Sequence, residues 1–393
     1  MPARIVLAWE LGHGYGHALP LVTLARKLLE RGDQVHLVTR DPVKLRQVLG
    51  GLDVAVHCAP FFPAVVQPAQ QQNSLADVIW FDAGGAEAAV LTEVFLAWRQ
   101  LLGLLQADLL IADAAPVALA AAHGLVPTLA YDNGFHSTDT GAWAIFRDWE
   151  PIQARASAER ALRLLQHLNT ARAAAALPAV DTLAQGFAAS AYCLRMPAEL
   201  DYVAERPQVR HVGQTPGPGD TPNWSPERPQ YRLFAYLRRA WPLTERMLAG
   251  LARLQHTEVL CFHDGIAPAQ RRSAAHLQYT ERTLDLAQVL PAVDAVICHG
   301  GGLQALALQY GKATLALPLH TEQYLWARQA ERQGCGLVYL ARAERPDFLP
   351  LIRTLLTQPT LAARASELAR AHAARVPDAS AATLAEVDRL LAR

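Results

Sequence analysis

The sequence predicts an α/β protein with two Rossmann-like, doubly wound parallel-sheet domains that face each other across a cleft. Short apolar segments alternate with helical segments along most of the chain, a pattern typical of parallel sheets. With 393 residues, the chain is too long for one ordinary hydrophobic core. A stretch rich in proline and glycine, residues 213–230, separates two such alternating halves.

The first half begins with an apolar run at residues 4–9, which predicts a buried strand that ends at a glycine-rich loop. Further apolar runs predict strands at 35–39, 54–57, 109–112, 128–131 and 189–196, the last of this half. Helical spacing predicts helices at 19–31, 41–49, 87–106, after 113 up to 123, and 154–177. Residues 61–82, which contain prolines and a polar QQQN tract, are expected to form a loop.

The second half repeats this alternation of strands and helices. Its predicted strands are 232–237, 258–262, 277–280, 294–298, 313–317 and 336–340, and residues 360–393 are helical in pattern with a break near Pro377. We therefore expect four segments, namely an acceptor-binding domain at 1–212, a linker at 213–230, a donor-binding domain at 231–375, and a last helix at 376–393 that could pack back on the first domain.

Composition excludes several classes of function. The chain has 36 basic and 36 acidic side chains, so no net charge attracts it to nucleic acid or to acidic membranes. Its five cysteines show no metal-ligand spacing, which favours buried thiols in a reducing compartment. No uncharged apolar run approaches ~18 residues, so we expect no transmembrane helix. The N-terminus also lacks a signal-peptide pattern, and we expect a cytoplasmic protein.

The most informative stretch is a glycine turn, His299-Gly300-Gly301-Gly302, between a predicted strand and a helix. Backbone N–H groups at such a turn can bind an anion, because glycine lets phosphate oxygens approach the main chain. The next predicted strand ends in a loop with His320, Glu322 and Gln323 at the same sheet edge. This pattern predicts a site for a phosphorylated ligand with hydroxyl groups. The alternative is a tight strand–helix connection without a ligand.

A second pair of residues, in the first half, suggests acid–base chemistry. His17 follows the first glycine loop, four residues after His13, and Asp113 ends a predicted strand at the same sheet edge. Imidazole is the usual general base near neutral pH, and a carboxylate can orient it and stabilise the imidazolium. The alternative is that each side chain only caps the helix that follows it.

Several motifs together resemble the family-1 glycosyltransferases of the GT-B fold, a group that includes antibiotic, macrolide, flavonoid and glucuronosyl transferases. Residues 16–28 (GHALPLVTLARKL) and 109–131 resemble the segments that carry the family's catalytic dyad. The HVG at 211–213 resembles the start of its second domain. Residues 293–340 resemble its donor-binding signature, the most specific of these motifs.

The resemblance implies roles for individual residues. His17 would be the catalytic base and Asp113 its partner, while His299 would contact the donor diphosphate with the glycine turn. Glu322 and Gln323 would bind sugar hydroxyls.

Where the family has Ser or Thr after the glycines and an acid that binds the ribose, this chain has Leu303, Gln304 and Ala307. Arg238 and Arg239 could replace missing phosphate contacts, or could simply be a solvated pair. In the predicted loop 132–150, Trp143 and Trp149 are candidates for acceptor contacts together with His13, although aromatic side chains more often pack in a core.

The expected reaction is inverting transfer of a sugar from a nucleoside diphosphate to a hydroxyl group, with His17 and His299 facing each other across the cleft. We expect no metal and no cofactor, and a UDP-sugar as donor, although Ala307 leaves the nucleotide open. The acceptor would be a small molecule or a lipid, with peripheral membrane contact an open possibility. Alternatives on the same fold are a nucleotide-sugar hydrolase and a non-catalytic binding protein.

Overall fold

The computed structural model describes most of the chain, namely residues 2–12, 14–61, 73–136, 151–203, 206, 208–341 and 346–392, with the side chains of 151–153 left out. The chain forms two compact units. The first comprises Met1–Arg195, Val203–Val212 and Ser380–Arg393, and the second comprises Met196–Tyr202 and Gly213–Ala379.

The first unit contains a parallel sheet of seven strands. These are β1 (Arg4–Trp9), β2 (Gln34–Thr39), β3 (Ala55–Cys58), β4 (Leu109–Asp113), β5 (Thr128–Ala130), β6 (Ala191–Leu194) and β7 (Val209–His211). Their order across the sheet is β3-β2-β1-β4-β5-β6-β7, so the winding reverses between β1 and β4. At such a reversal the loops at the carboxyl ends of the strands diverge and leave room for a ligand.

Seven α-helices lie between these strands in the part of the chain that the structure describes. They are α1 (Tyr15–Glu30), α2 (Pro42–Val48), α3 (Leu75–Asp82), α4 (Ala88–Leu104), α5 (Pro116–Ala122), α6 (Pro151–Ala174) and α7 (Leu183–Gly186). All five residues of β4 are buried, as expected for a strand covered on both faces. The predicted doubly wound α/β architecture of this half is therefore confirmed.

Two sequence predictions in this half were wrong. Residues 61–82 are not a loop throughout, because Leu75–Asp82 is helix α3, where the Ser74 hydroxyl accepts the Asp77 N–H at 3.1 Å as an N-cap. The prolines and the QQQN tract lie within 62–72, outside the described residues. Segment 189–196 is not the last strand either, since β7 follows it.

The second unit contains a parallel sheet of six strands. These are β8 (Tyr231–Arg238), β9 (Thr257–Asp264), β10 (Leu277–Thr280), β11 (Ala295–Cys298), β12 (Ala313–Ala316) and β13 (Gly336–Val338). Their order across the sheet is β10-β9-β8-β11-β12-β13, so the winding reverses between β8 and β11. All six predicted strands are present, and both sheets have the Rossmann-like winding of the GT-B fold.

The helices of the second unit are α8 (Thr244–Leu251), α9 (Leu286–Ala292), α10 (Gly301–Gln309), α11 (Thr321–Arg332), α12 (Leu349–Thr357) and α13 (Pro359–Arg375). A last helix, α14 (Ala379–Leu391), lies mostly in the first unit. There Asp388 forms an ion pair with Arg31 at 2.6 Å, and Glu386 forms one with Arg210 at 3.2 Å.

The proline-rich segment 213–230 belongs to the second unit and is hydrogen-bonded to it. The Asp220 N–H donates to the Thr283 carbonyl at 2.8 Å, and the Asp285 N–H donates back to the Asp220 carbonyl at 2.9 Å. These bonds form an isolated parallel bridge between Asp220 and Leu284. This part of the predicted linker is therefore fixed on the surface of the second unit.

Two further observations concern the whole described chain. All five cysteines are free, and four of them are buried. Among the described residues, no helix combines the length and apolar character that crossing a membrane requires.

We expect Gly219→Ala to lower the melting temperature, because a Cβ there would lie 2.2 Å from the Leu284 carbonyl carbon and 2.6 Å from the Asp285 nitrogen. Such overpacking typically costs about 1–3 kcal/mol. Gly103→Ala is the control, since its Cβ in α4 would meet nothing within 4 Å and alanine favours a helix. Thermal denaturation followed by circular dichroism measures both. A melting temperature of Gly219→Ala equal to or above that of wild type would show that segment 213–230 is not fixed at this position.

Candidate functional site

In the first unit, His17 and Asp113 meet at the carboxyl edge of the sheet. His17 lies in the first turn of α1, and Asp113 is the last residue of β4, paired in register with Trp9 at the end of β1. The His17 Nδ1 lies 3.2 Å from Asp113 Oδ1, so an N–H at Nδ1 donates to the carboxylate. The predicted pair is therefore brought together, and in the tautomer that donates from Nδ1 the acceptor nitrogen of the ring is Nε2.

Two neighbours fix the orientation of the His17 imidazole. The ring stacks on Trp9, with centroids 5.4 Å apart and planes inclined by 21°. Gly12, at φ +79°, also lies against the ring, since a Cβ there would be 2.4 Å from His17 Nε2. The loop between β1 and α1 therefore needs glycine at this position, both for its backbone conformation and for the space that the imidazole occupies.

A buried arginine, which the sequence analysis did not identify, completes this cluster. Arg195 Nη2 donates to Asp113 Oδ2 at 2.7 Å. Burial raises the pKa of Asp113, but the positive charge of Arg195, together with contributions from His17 and His136, outweighs it and lowers the pKa below its ordinary value. Asp113 is thus an ionised acceptor at neutral pH. Arg195 directly follows β6, a buried apolar run, and this position was the only sequence signal that could have pointed to it.

In the second unit, His299 follows β11 and is almost completely buried. Its Nδ1–H donates to the Leu317 carbonyl at 2.7 Å, and its Nε2 accepts the Arg238 backbone N–H at 2.9 Å. Burial and, to a smaller extent, the positive charges of Arg238 and His320 lower the pKa of His299 to about 4. The neutral ring joins the loops after β8 and β12, and both ring nitrogens are used in doing so. Direct contact of His299 with a diphosphate therefore stays a prediction.

The glycine turn after His299 has the conformation that an anion site needs. Gly300 is the N-cap of α10 at φ +98°, and Gly301 opens the helix at φ +66°. Gly300 also lies against the next loop, since a Cβ there would be 2.9 Å from the Gln323 carbonyl oxygen. Gly302 lies beside the amide of Gln214, 3.0 Å from the position of a Cβ. The first N–H groups of α10 have no partner within the helix and can bind an anion.

The other predicted donor residues lie on neighbouring loops of the same sheet edge. Arg238 ends β8, with Nε 3.5 Å from Asp264 Oδ2. Arg239 lines an open cavity of about 250 Å³ beside the start of α8. Glu322 and Gln323 lie in the first turn of α11, where Gln323 Oε1 accepts the Leu319 N–H at 2.8 Å. The structure therefore places these four residues and the glycine turn around one edge of the second sheet.

The expected ribose contact is replaced by core packing. Ala307 is fully buried in a cluster with Val289, Leu290 and Leu306 on the inner face of α10. Gln304 is also fully buried, and its Nε2 donates to Thr314 Oγ1 at 3.1 Å. These two positions of the helix therefore present nothing to a ligand.

Three predicted acceptor contacts fall outside the described residues, namely His13, Trp143 and Trp149. Across the described part of the chain, no group of three or more His, Cys, Asp or Glu side chains is arranged to bind a metal ion.

Comparison with known proteins shows where this architecture occurs. No family model matches the chain. A 93-residue segment is 34% identical to O-mycaminosyltylonolide 6-deoxyallosyltransferase from Streptomyces fradiae, a match that spans 23% of this chain and 22% of that enzyme.

Solved glycosyltransferases resemble the whole chain in structure. Glycosyltransferase VinC, in complex with dTDP, matches with a TM-score of 0.69 and 17% identity over 100% of both chains. Spinosyn rhamnosyltransferase SpnG, in complex with spinosyn aglycone, matches with a TM-score of 0.70 and 19% identity over 97% of this chain and 99% of that one. These matches confirm the GT-B fold that the sequence motifs implied.

Replacing Gly300 by alanine should disrupt the glycine turn more than the same change at Gly301. Both glycines have positive φ, so each change strains the backbone, but only at Gly300 would a Cβ also collide with Gln323, at 2.9 Å. At Gly301 a Cβ would enter open space. Thermal denaturation of the two variants measures the difference. If Gly301→Ala proved the more destabilised, the packing of Gly300 against Gln323 would not limit the turn.

Proposed function

We propose that this protein is an inverting glycosyltransferase that moves a sugar from a nucleoside diphosphate to a hydroxyl group of a small apolar acceptor. The observation that carries the proposal is the hydrogen bond of 3.2 Å between His17 and buried Asp113 at the edge of the first sheet. An oriented neutral imidazole with an accepting Nε2 is what deprotonation of a hydroxyl requires. The glycine turn of the second unit supplies the matching anion site.

In the proposed reaction, His17 Nε2 takes the proton of the acceptor hydroxyl while Asp113 stabilises the imidazolium. The acceptor oxygen attacks the anomeric carbon of the sugar from the face opposite the diphosphate. The bond between the anomeric carbon and the diphosphate oxygen breaks, and the diphosphate leaves with the electron pair. N–H groups of Gly301 and Gly302, with Arg238 or Arg239, stabilise that negative charge, so the transfer needs no metal.

For this chemistry, the donor and the base must meet. The proposal therefore requires that His17 and His299 face one cleft, which stays a prediction.

Support for the substrate classes comes from the proteins of the same fold. SpnG was solved with an aglycone and VinC with dTDP. An aglycone acceptor suits the two tryptophans, Trp143 and Trp149, that are candidates for acceptor contacts. The intact His17–Asp113 pair disfavours a binding protein without catalysis. A cytoplasmic location and the possibility of peripheral membrane contact remain predictions.

The nucleotide is the least determined part of the donor. UDP was expected from the resemblance, yet Ala307 is packed in the core and presents no carboxylate to the hydroxyl groups of a ribose. A 2′-deoxyribose has one hydroxyl group fewer to satisfy, so the site suits a thymidine nucleotide at least as well.

We expect dTDP to raise the melting temperature at least as much as UDP does, and both to exceed ADP and GDP. A ligand that binds only the folded state stabilises by about 2.7 kcal/mol at 100 times its Kd. A thermal-shift titration with the four nucleoside diphosphates checks this order. A larger shift with UDP than with dTDP would restore the original expectation, and no shift with any of them would remove the donor site.

His17→Ala should lower the turnover number by ~10²–10⁴-fold, the usual contribution of a general base, and leave the nucleotide-induced thermal shift unchanged. His167→Ala is a matched control in the same unit, since that ring bonds the Gly85 carbonyl at 2.8 Å and is remote from the pair in sequence and contacts. The assay follows transfer from a panel of nucleotide sugars to aglycone acceptors by mass spectrometry. Unchanged turnover in His17→Ala would remove the base assignment.

A further inference from the structure

We propose that Arg195 is a positioning residue that keeps Asp113 ionised and offsets its negative charge, so that His17 beside it stays neutral and ready to accept a proton. This inference rests on the proposed function, in which His17 is the base. Arg195 would touch neither substrate nor the reacting atoms, and would act only through the carboxylate.

Arg195 connects the two elements that carry the catalytic pair. Besides its bond of 2.7 Å to Asp113 Oδ2, its Nη1 donates to the Gly16 carbonyl at 3.4 Å, one residue before His17. Its guanidinium also lies over the Tyr131 ring, with the central carbon 5.1 Å from the ring centroid. The side chain is only 2% exposed, so its charge is not screened by water.

Glu10 shows what happens to a buried carboxyl group of this unit without such a partner. It follows β1 and accepts backbone N–H groups of Val117 and Ala118 at 2.9 and 3.0 Å. Although these bonds favour the charged form, burial raises the pKa of Glu10 to about 8. Asp113 is as deeply buried, but its pKa is lowered. The largest contribution that lowers the pKa of Asp113 is the charge of Arg195, followed by those of His17 and His136. At Glu10 the charge of Arg40 is the smallest contribution and does not offset the loss of hydration.

Loss of the Arg195 charge should therefore make the pair hold a proton more tightly. The groups whose charges act on Asp113 are Arg195, His17 and His136. Without Arg195, the pKa of Asp113 rises, or an Asp113 that stays ionised stabilises the imidazolium of His17 more strongly because nothing offsets its charge. In both cases the His17–Asp113 pair already holds the extra proton at neutral pH, and it then cannot accept another proton from a substrate.

The first test compares pH profiles of kcat/KM for wild type, Arg195→Met, Arg195→Lys and Arg172→Met. The acidic limb is the pH range in which kcat/KM falls as the pH is lowered. For Arg195→Met we expect the midpoint of this limb to lie at least about one pH unit higher than in wild type, and kcat/KM to fall about ten-fold per pH unit below it. Arg195→Lys keeps the charge and should move less. Arg172 is a buried arginine of α6 that bonds the Pro178 carbonyl at 2.8 Å, so its removal should leave the limb in place. A limb for Arg195→Met at the wild-type position would overturn the proposal.

The second test needs no turnover. Removal of Arg195 leaves the buried Asp113 carboxylate without an adjacent guanidinium and with only His17 beside it, so Arg195→Met should melt at lower temperature at pH 7 than the double variant Asp113→Asn/Arg195→Met. A merely structural Arg195 would give a double variant at least as unstable as the single one, which would overturn the proposal. Since this comparison measures stability alone, it holds even if wild type transfers no sugar, an outcome that would instead reject the proposed function.

Discussion

A buried negative charge constrains the first unit more than any other single feature. A carboxylate without water is stable only beside a positive charge and well-placed donors, and Asp113 has both in Arg195 and His17. Those two residues come from segments far apart in the chain, one after β6 and one in α1. The strands between them must therefore pair in the observed order before the charge can be buried, which couples the His17–Asp113 pair to completion of the sheet.

Glycine has a comparable importance at the edges of both sheets, for reasons of space as well as conformation. Gly12 leaves the volume in which the His17 imidazole lies, and Gly300 allows the loop after β12 to contact the turn after β11. In each case the absence of a side chain lets a neighbour, the His17 ring or Gln323, lie against the backbone of the loop. The loop of Gly12 follows β1 and the turn of Gly300 follows β11. Each of these strands lies at the point where the strand order of its sheet reverses.

The sequence predicted the parallel strands and the pair His17–Asp113 well, because buried parallel strands are continuous apolar runs and their carboxyl ends share one edge. It did not predict α3, whose Ser74 cap is preceded by a polar and proline-rich tract that resembles a loop. Nor could it assign a partner to Arg195 or backbone bonds to His299. Both depend on distances between residues 82 and 61 positions apart, which local patterns do not contain.

The hydrogen bonds of His299 have a kinetic consequence. Because burial lowers the pKa of His299 to about 4, its ring stays predominantly neutral between pH 6 and 8, and the loops that it joins keep the same bonds in that range. The hydrogen bonds by which His299 joins the two loops therefore do not depend on pH in this range. A change in rate across that interval would then originate from groups other than His299, so the pH dependence of the rate can report on the proposed base, His17, alone.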